Sequence, residues 1–109
     1  MGTMSHGTIS VEFEDRILSH LQIVIVQRFR RNESLVMSWL DSLAVGDGRS
    51  SMWMSPAQPV YFKFAGSRVP EIDRKWLQQL TESAESSPGL VVTSPTGELV
   101  RALGSVQVR

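Results

Sequence analysis

Cysteine is absent from this 109-residue chain, and histidine occurs only twice. The lack of cysteine excludes disulfides, thiolate metal sites and a cysteine nucleophile. The length is close to the usual size of one domain, which is enough to close a hydrophobic core without such cross-links. The fold is therefore expected to depend on packing and hydrogen bonds alone.

Long hydrophobic runs are also missing. The longest, residues 21–26, is interrupted by Gln22, whereas a membrane span needs about 20 predominantly apolar residues. The first seven residues contain no Lys or Arg and no apolar stretch of the kind found in a secretory signal. We therefore expect a cytoplasmic protein with no membrane partner.

The chain has no excess of charge of either sign, because 11 Lys and Arg residues balance 11 Asp and Glu residues. A neutral chain creates no overall field that would attract nucleic acid or an anionic membrane. Any charged partner would need a local patch.

The pattern of apolar residues predicts a mixture of strands and helices. Alternation predicts strands at residues 8–13, 34–40, 50–55, 60–64 and 90–93. Helical periodicity predicts helices over residues 14–31 and 74–86, with Asn32 closing the first and Asp73 capping the second. This order predicts an α+β fold in which two helices pack on one face of a mainly antiparallel sheet of about four to five strands.

The same pattern divides the chain into three parts. Residues 1–95 are predicted to form a single domain that begins with a mobile segment of seven residues, and residues 96–109 to form a flexible C-terminal tail. Within the domain, the three strands between residues 34 and 64 suggest an antiparallel meander.

The first predicted helix carries more aliphatic residues than one sheet would cover. Six apolar residues share a broad core face: Ile17, Leu18, Leu21, Val24, Ile25 and Phe29. Ile23 and Val26 lie outside this face. Either other segments of the chain cover them, or they form an oligomer contact with a second subunit.

Five short strings resemble a family of small, uncharacterised actinobacterial proteins of about 100 residues. They are Val-Glu-Phe-Glu-Asp-Arg at 11–16, Leu-Gln-Ile-Val-Ile at 21–25, Glu-Ser and Ser-Trp at 33–34 and 38–39, Gly-Asp-Gly-Arg-Ser-Ser at 46–51, and Phe-Ala-Gly-Ser-Arg at 64–68. Members of that family often carry an automatic label of ATP-dependent DNA ligase, so the resemblance implies an enzyme.

The ligase interpretation can be compared with the sequence directly. Nucleotidyl-transferring ligases need a Lys-x-Asp-Gly motif, whose lysine attacks the α-phosphate of the nucleotide. The nearest string, Lys-Phe-Ala-Gly at 63–66, lacks the acid. We therefore expect Lys63 to be a solvent-facing strand residue.

No catalytic residue, metal site or cofactor is predicted from the remaining motifs. His6 and His20 lack the spacing of a zinc-binding pair. His20 lies at the edge of the helical core face, where a partly buried structural histidine is the ordinary interpretation. The serines form no recognisable nucleophile motif.

Two loops and several basic residues supply candidate ligand contacts. Arg49, Ser50 and Ser51 follow a Gly-Asp-Gly turn and would offer a guanidinium and hydroxyls to a phosphate, although a plain turn is the more ordinary explanation of the glycines. Arg68 occupies a second glycine-containing loop and is the other candidate for this role.

Three further basic residues are candidates for contact with nucleic acid: Arg28, Arg31 and Lys63. Cations of this kind would hold phosphates while a tryptophan stacks on an unpaired base. The arginines near the end of the first helix also complement the helix dipole, which is a purely structural explanation.

The sequence therefore leaves two main hypotheses open. The first is a small non-catalytic binding or assembly module, whose partner is another protein or a second copy of the chain. The alternative is a nucleic-acid-binding accessory protein that contacts single strands or the phosphate backbone through Arg and Trp. An enzyme that matches the ligase label is the third possibility.

Overall fold

The computed structural model describes residues 1–107, with the exception of the Gln107 side chain. Within this range the chain forms two helices, α1 (Asp15–Arg30) and α2 (Arg74–Glu85). It also forms seven strands: β1 (Gly2–His6), β2 (Ile9–Phe13), β3 (Leu35–Leu40), β4 (Arg49–Met54), β5 (Val60–Lys63), β6 (Leu90–Val91) and β7 (Gly104–Gln107). The predicted α+β class is confirmed.

The strands form two sheets instead of the single sheet predicted. One has the order β5-β1-β2-β7 and is antiparallel throughout, and the other has the order β4-β3-β6, in which β6 runs parallel to β3. The predicted meander is correct for β3 and β4 but wrong for β5, which pairs with β1. The turn before β5 contains Pro56 and Pro59, and proline cannot extend a ladder of backbone hydrogen bonds.

The first seven residues are not the mobile segment that we predicted. Gly2–His6 forms β1, a central strand whose Met4 and His6 side chains are buried. A two-residue turn connects β1 to β2 and begins at Gly7, whose φ of 61° lies in the left-handed region that glycine tolerates best. His6 Nε2 accepts a hydrogen bond of 3.2 Å from the backbone N–H of Ser55, which ties β1 to the end of β4.

One hydrophobic core joins both sheets and both helices. The buried side chains of α1 include Leu18, Leu21, Val24 and Ile25, as the helical periodicity predicts, and Ile17 and Phe29 pack against them. Helix α2 contributes Trp76, Leu80 and Ala84. Both sheets also contribute buried side chains to it, such as Met4 of β1 and Met37 of β3.

Local signals at the helix ends are confirmed. Asn32 has a φ of 59°, which closes α1 in the left-handed conformation. The Asp73 carboxylate accepts hydrogen bonds of 3.1 Å from the backbone N–H groups of Lys75 and Trp76, which caps α2.

The segment after residue 95, predicted as a tail, returns to the sheets within the described residues. Leu40 donates its N–H to Val100 and accepts one from Ala102, and β7 then pairs with β2. This pairing depends on a strand that lies far away in the sequence, so local alternation alone does not reveal it. Residues 108–109 of the predicted tail lie outside the described part.

Candidate functional site

A groove of about 250 Å³ lies between α1 and the loop that connects β5 to α2. We call it the α1–loop groove. Its lining is mainly apolar and comprises Ser19, Gln22 and Ile23 of α1 with Phe64, Gly66, Ser67, Arg68, Val69, Pro70 and Ile72 of the loop. The site therefore consists of one rigid wall, the helix, and one wall whose position depends on how residues 64–73 are held.

Asp15, the first residue of α1, fastens the near end of this loop. Its two carboxylate oxygens accept hydrogen bonds from the backbone N–H groups of Gly66 (2.9 Å) and Ala65 (3.1 Å). These two donors, Gly66 before Ala65, hold the pKa of the Asp15 carboxyl below its ordinary value, because they stabilise the charged form. The contact between Asp15 and the loop was not predicted from the sequence.

His20 fastens the far end of the loop from inside the core. Its Nε2 accepts a hydrogen bond of 3.0 Å from the backbone N–H of Asp73, and its Nδ1 lies 2.7 Å from the Arg16 carbonyl oxygen. Since Nε2 accepts, the proton is assigned to Nδ1, which donates to that carbonyl. The ring is fully buried and stacks at 4.2 Å on Trp76. His20 is thus a structural residue, and it is buried more completely than predicted.

The exposed rim of the groove carries one cation and one aliphatic side chain. Val69 is 80% exposed, and Arg68 beside it is exposed and forms no ion pair with any carboxylate that the structure describes. The nearby acid, Glu71, lines a separate hollow together with Arg16 and Asp73. Positive charge at the rim is therefore not neutralised by the loop itself.

A second, more open depression of about 320 Å³ continues from the groove along α1. It is lined by Gln22, Ile23, Val26, Gln27 and Arg30, so Gln22 and Ile23 belong to both. Together with Ser19 these residues form what we call the α1 stripe. Their spacing places them on one helix face, over a length of about 16 Å at the usual rise per residue.

The structure brings together two sequence-predicted residues that had been assigned different roles. Ile23, predicted as an oligomer contact, and Arg68, predicted as a phosphate ligand, line the same groove. Val26 is half-buried and lies further along the α1 stripe. We did not identify Gln22, Phe64, Pro70 or Ile72 from the sequence, since no motif marks them and only the folded loop places them beside α1.

The other predicted ligand residues lie elsewhere. Arg49, Ser50 and Ser51 belong to β4, which agrees with the strand predicted over residues 50–55 except that it begins one residue earlier, at Arg49. Ser50 donates its hydroxyl to Asp41 at 2.6 Å, and this contact fixes the turn in place. Their role as phosphate ligands stays a prediction.

The three residues predicted to contact nucleic acid are dispersed. Arg28 donates to the Ser34 carbonyl at 3.1 Å, and Arg31 pairs with Glu33 at 2.9 Å and with Glu85 at 3.8 Å. Lys63 is exposed at the end of edge strand β5. Two of the three cations, Arg28 and Arg31, thus form contacts within the protein.

Two structural features are absent from the described residues. Among them, no cluster of three or more His, Cys, Asp or Glu side chains has the proximity that a metal ion requires. Neither α1 nor α2 has the length and apolar character needed to cross a bilayer.

Comparison with known proteins places the groove inside a defined domain family. Neither the curated proteins nor the solved structures gave a match. A family model described as a domain of unknown function, DUF7882, matches residues 1–95, which include α1, the loop and α2 but not β7. The chain belongs to the DUF7882 family.

Proposed function

We propose that this chain is a small non-catalytic binding module whose α1–loop groove and α1 stripe receive an acidic amphipathic helix of a protein partner. The observation that carries the proposal is the combination of aliphatic side chains, Ile23, Val26 and Val69, with the exposed cations Arg30 and Arg68. Neither cation forms an ion pair with a described carboxylate. A helix with an apolar face and flanking carboxylates complements both features.

The size of the groove favours side chains over a free small molecule. Pockets for small ligands and cofactors usually measure about 300–1,000 Å³ and enclose most of the ligand. The α1–loop groove has about 250 Å³ and is open to solvent. One or two anchoring side chains fill such a volume, while the rest of a bound helix follows the α1 stripe.

The way in which the loop is held favours a preformed site. Asp15 holds the loop at Ala65 and Gly66, and His20 holds it at Asp73. Fixing both ends before binding reduces the conformational entropy that association would otherwise lose. The groove would therefore bind without first folding its own loop.

Charge argues against a second copy as the occupant. If two α1 stripes packed antiparallel, Ile23 would lie opposite Val26, but Arg30 would approach the Ser19 end of the partner, where Arg68 lines the groove. A parallel arrangement would bring Arg30 near its own counterpart. Either arrangement brings like charges together, so a partner with carboxylates fits better than the homodimer that Ile23 and Val26 first suggested.

The alternatives have weaker support. For nucleic acid, the cations Arg28 and Arg31 are already paired with acids or carbonyls. For the ligase activity implied by the resemblance to actinobacterial proteins, the string at 63–66 has no acid and Lys63 is an exposed strand residue. We therefore place both below a protein-binding role.

The proposal is tested with two designed helical peptides of about 15 residues, a length that spans the α1 stripe. Both have the same leucine face, and their flanking residues are all glutamate in one and all lysine in the other. We expect the acidic peptide to shift the amide NMR signals of Ile23, Val26 and Val69, and the lysine peptide to bind at least about tenfold more weakly.

Two variants locate the binding. Ile23→Ser removes the aliphatic anchor and is expected to abolish the shifts. Arg49→Glu changes an exposed arginine on β4, away from the groove, and is the matched control that keeps them. Equal affinity for both peptides, or shifts centred away from α1, would contradict the proposal.

A further inference from the structure

The edge of β4 is a second surface without a partner, and it is independent of the α1–loop groove. In the described residues β4 pairs with β3 on one side only, and beside Ser50 and Ser51 a groove of about 250 Å³ separates it from β7. The backbone groups on this side of β4 are therefore not used by a neighbouring strand.

Exposed edge strands usually carry features that prevent pairing with other chains, and β4 has few of them. Common devices are short length, a proline, or a lysine within the strand. The edge strand β5 shows all three, since it has four residues, follows Pro59 and ends at Lys63. By contrast, β4 has six residues, and its only charge is Arg49 at the start.

The side chains of β4 alternate strictly between the core and the solvent. Met52 and Met54 are buried, whereas Arg49, Ser51 and Trp53 face outwards. Trp53 is 67% exposed. An exposed tryptophan on an open edge is unusual for a surface that remains in water.

We propose that β4 pairs antiparallel with β4 of a second copy, with Ser51 lying opposite Ser51 on the two-fold axis. Arg49 and Trp53 each lie two residues from Ser51, in opposite directions along the strand. In the antiparallel pair, Arg49 of each copy therefore lies opposite Trp53 of the other copy, on the same face of the sheet. Two three-stranded sheets become one continuous sheet of six strands.

This register is distinguished from its neighbours by charge and by length. Moving the axis to Ser50 or Met52 keeps the two faces but pairs Ser51 with Arg49 or with Trp53, so the contact between Arg49 and Trp53 is lost. A shift that centres the axis on Arg49 would set two arginines against each other, and one centred on Trp53 would leave Arg49 beyond the end of the partner strand. Only the Ser51-centred register stacks each guanidinium on an indole and pairs the two hydroxyls.

The expected interface is small, so association should be an equilibrium. A pair of six-residue strands buries less than the roughly 1,600 Å² of a standard stable interface. We therefore expect a dimer that forms with rising protein concentration.

The absence of cysteine makes a direct crosslinking test possible. Ser51→Cys introduces a single thiol on the proposed axis, and Ser87→Cys introduces one at another exposed position as the matched control. With a short bis-maleimide reagent, we expect Ser51→Cys to form covalent dimer at least about tenfold faster, since directly opposed Cβ atoms lie about 5 Å apart. Equal rates for the two variants would overturn the proposal.

Sedimentation of the unlabelled protein is a second test of the proposed dimer. The wild type is expected to shift from monomer to dimer with concentration, Ser51→Thr to retain the dimer, and Ser51→Glu to remain monomeric because it sets two carboxylates face to face. Circular dichroism checks that each variant is folded.

A nucleic-acid role for the same side chains would give a different result. If a thymidine oligonucleotide quenches Trp53 fluorescence while the wild type stays monomeric at every concentration, the outward face of β4 stacks bases and the dimer proposal is wrong. Neither result bears on the acidic peptide, whose site lies on α1.

Discussion

Two glycine-containing loops of this molecule, residues 41–48 and 64–73, are held in opposite ways. In the first loop the polar groups are used locally: Asp41 donates its N–H to Gly48, its carboxylate accepts from Ser50, and Asp47 pairs with Arg101 at 2.8 Å. Within the described part of the chain, the polar contacts that hold the second loop lie at its ends, where Asp15 and His20 accept its backbone N–H groups and Arg16 pairs with Asp73.

The difference separates a loop that closes a turn from a loop that presents side chains. Both loops contain glycines. Arg49 follows the first loop and Arg68 lies within the second, so composition alone does not distinguish them as ligand sites. What distinguishes them is the surrounding structure. Arg101 pairs with Asp47 of the first loop, whereas Arg68 and Val69 of the second remain exposed beside an apolar groove. Four substitutions test this contrast, and their expected effects on stability decrease in the order given.

His20→Ala is expected to have the largest effect. It leaves a cavity against Trp76 and removes the acceptor for the Asp73 N–H, so we expect a loss of about 3–4 kcal/mol in the free energy of unfolding. Urea denaturation measures this loss. His20→Gln keeps a side-chain acceptor and should recover part of it, whereas a loss below about 1 kcal/mol would mean that His20 does not anchor the loop.

Asp15→Asn is expected to have a smaller effect that depends on pH. Because the hydrogen bonds from Gly66 and Ala65 lower the folded-state pKa of Asp15, its stabilising contribution is present above the carboxyl's ordinary value of 3.8 and is lost as the pH falls through the folded-state value. The difference in unfolding free energy between wild type and variant should therefore be largest near neutral pH and shrink in acid.

A matched control for this titration is Glu98→Gln, an exposed acid on another segment. Comparison with this variant separates the contribution of the two backbone donors from the general effect of removing an acidic charge. A pH-independent difference for Asp15→Asn would contradict the role assigned to the two backbone donors.

Arg101→Ala tests the first loop. The change removes the ion pair with Asp47 and the 2.9 Å hydrogen bond to the Asp41 carbonyl, both at the surface, so we expect a loss of about 0.5–1 kcal/mol. Amide exchange in residues 41–48 should increase while the affinity for the acidic peptide stays unchanged. A change in peptide affinity would show that the two loops are not independent.

Arg68→Ala should change stability least, by less than about 0.5 kcal/mol, because the side chain is exposed and forms no described ion pair. Its affinity for the acidic peptide should nevertheless fall several-fold. Thermal denaturation and peptide titration of the same sample measure both quantities. A large fall in melting temperature would indicate that Arg68 supports the loop instead of the ligand.

Local features of this fold were predictable from the sequence, and long-range ones were not. The cap at Asp73 and the left-handed Asn32 follow from neighbouring residues, and so does the core face of α1. By contrast, β7 is recognisable only through β2, which is distant in the chain, and β1 pairs with distant β5 as well as with its neighbour β2. The division into two sheets follows from these pairings, so it could not be predicted either.

The candidate site was likewise predictable only in part from the sequence. Ile23 and Arg68 were each marked by the sequence, for separate reasons. Their meeting in one groove depends on two contacts across roughly fifty residues, from Asp15 to Gly66 and from His20 to Asp73, which no local pattern encodes.

The most direct test of the proposed role is a charge exchange across the groove. The double variant Arg30→Glu/Arg68→Glu should lose the acidic peptide and gain the lysine peptide, so that the ratio of the two dissociation constants inverts relative to the wild type. If the double variant instead binds both peptides as the wild type does, the α1–loop groove is not where an acidic helix is recognised.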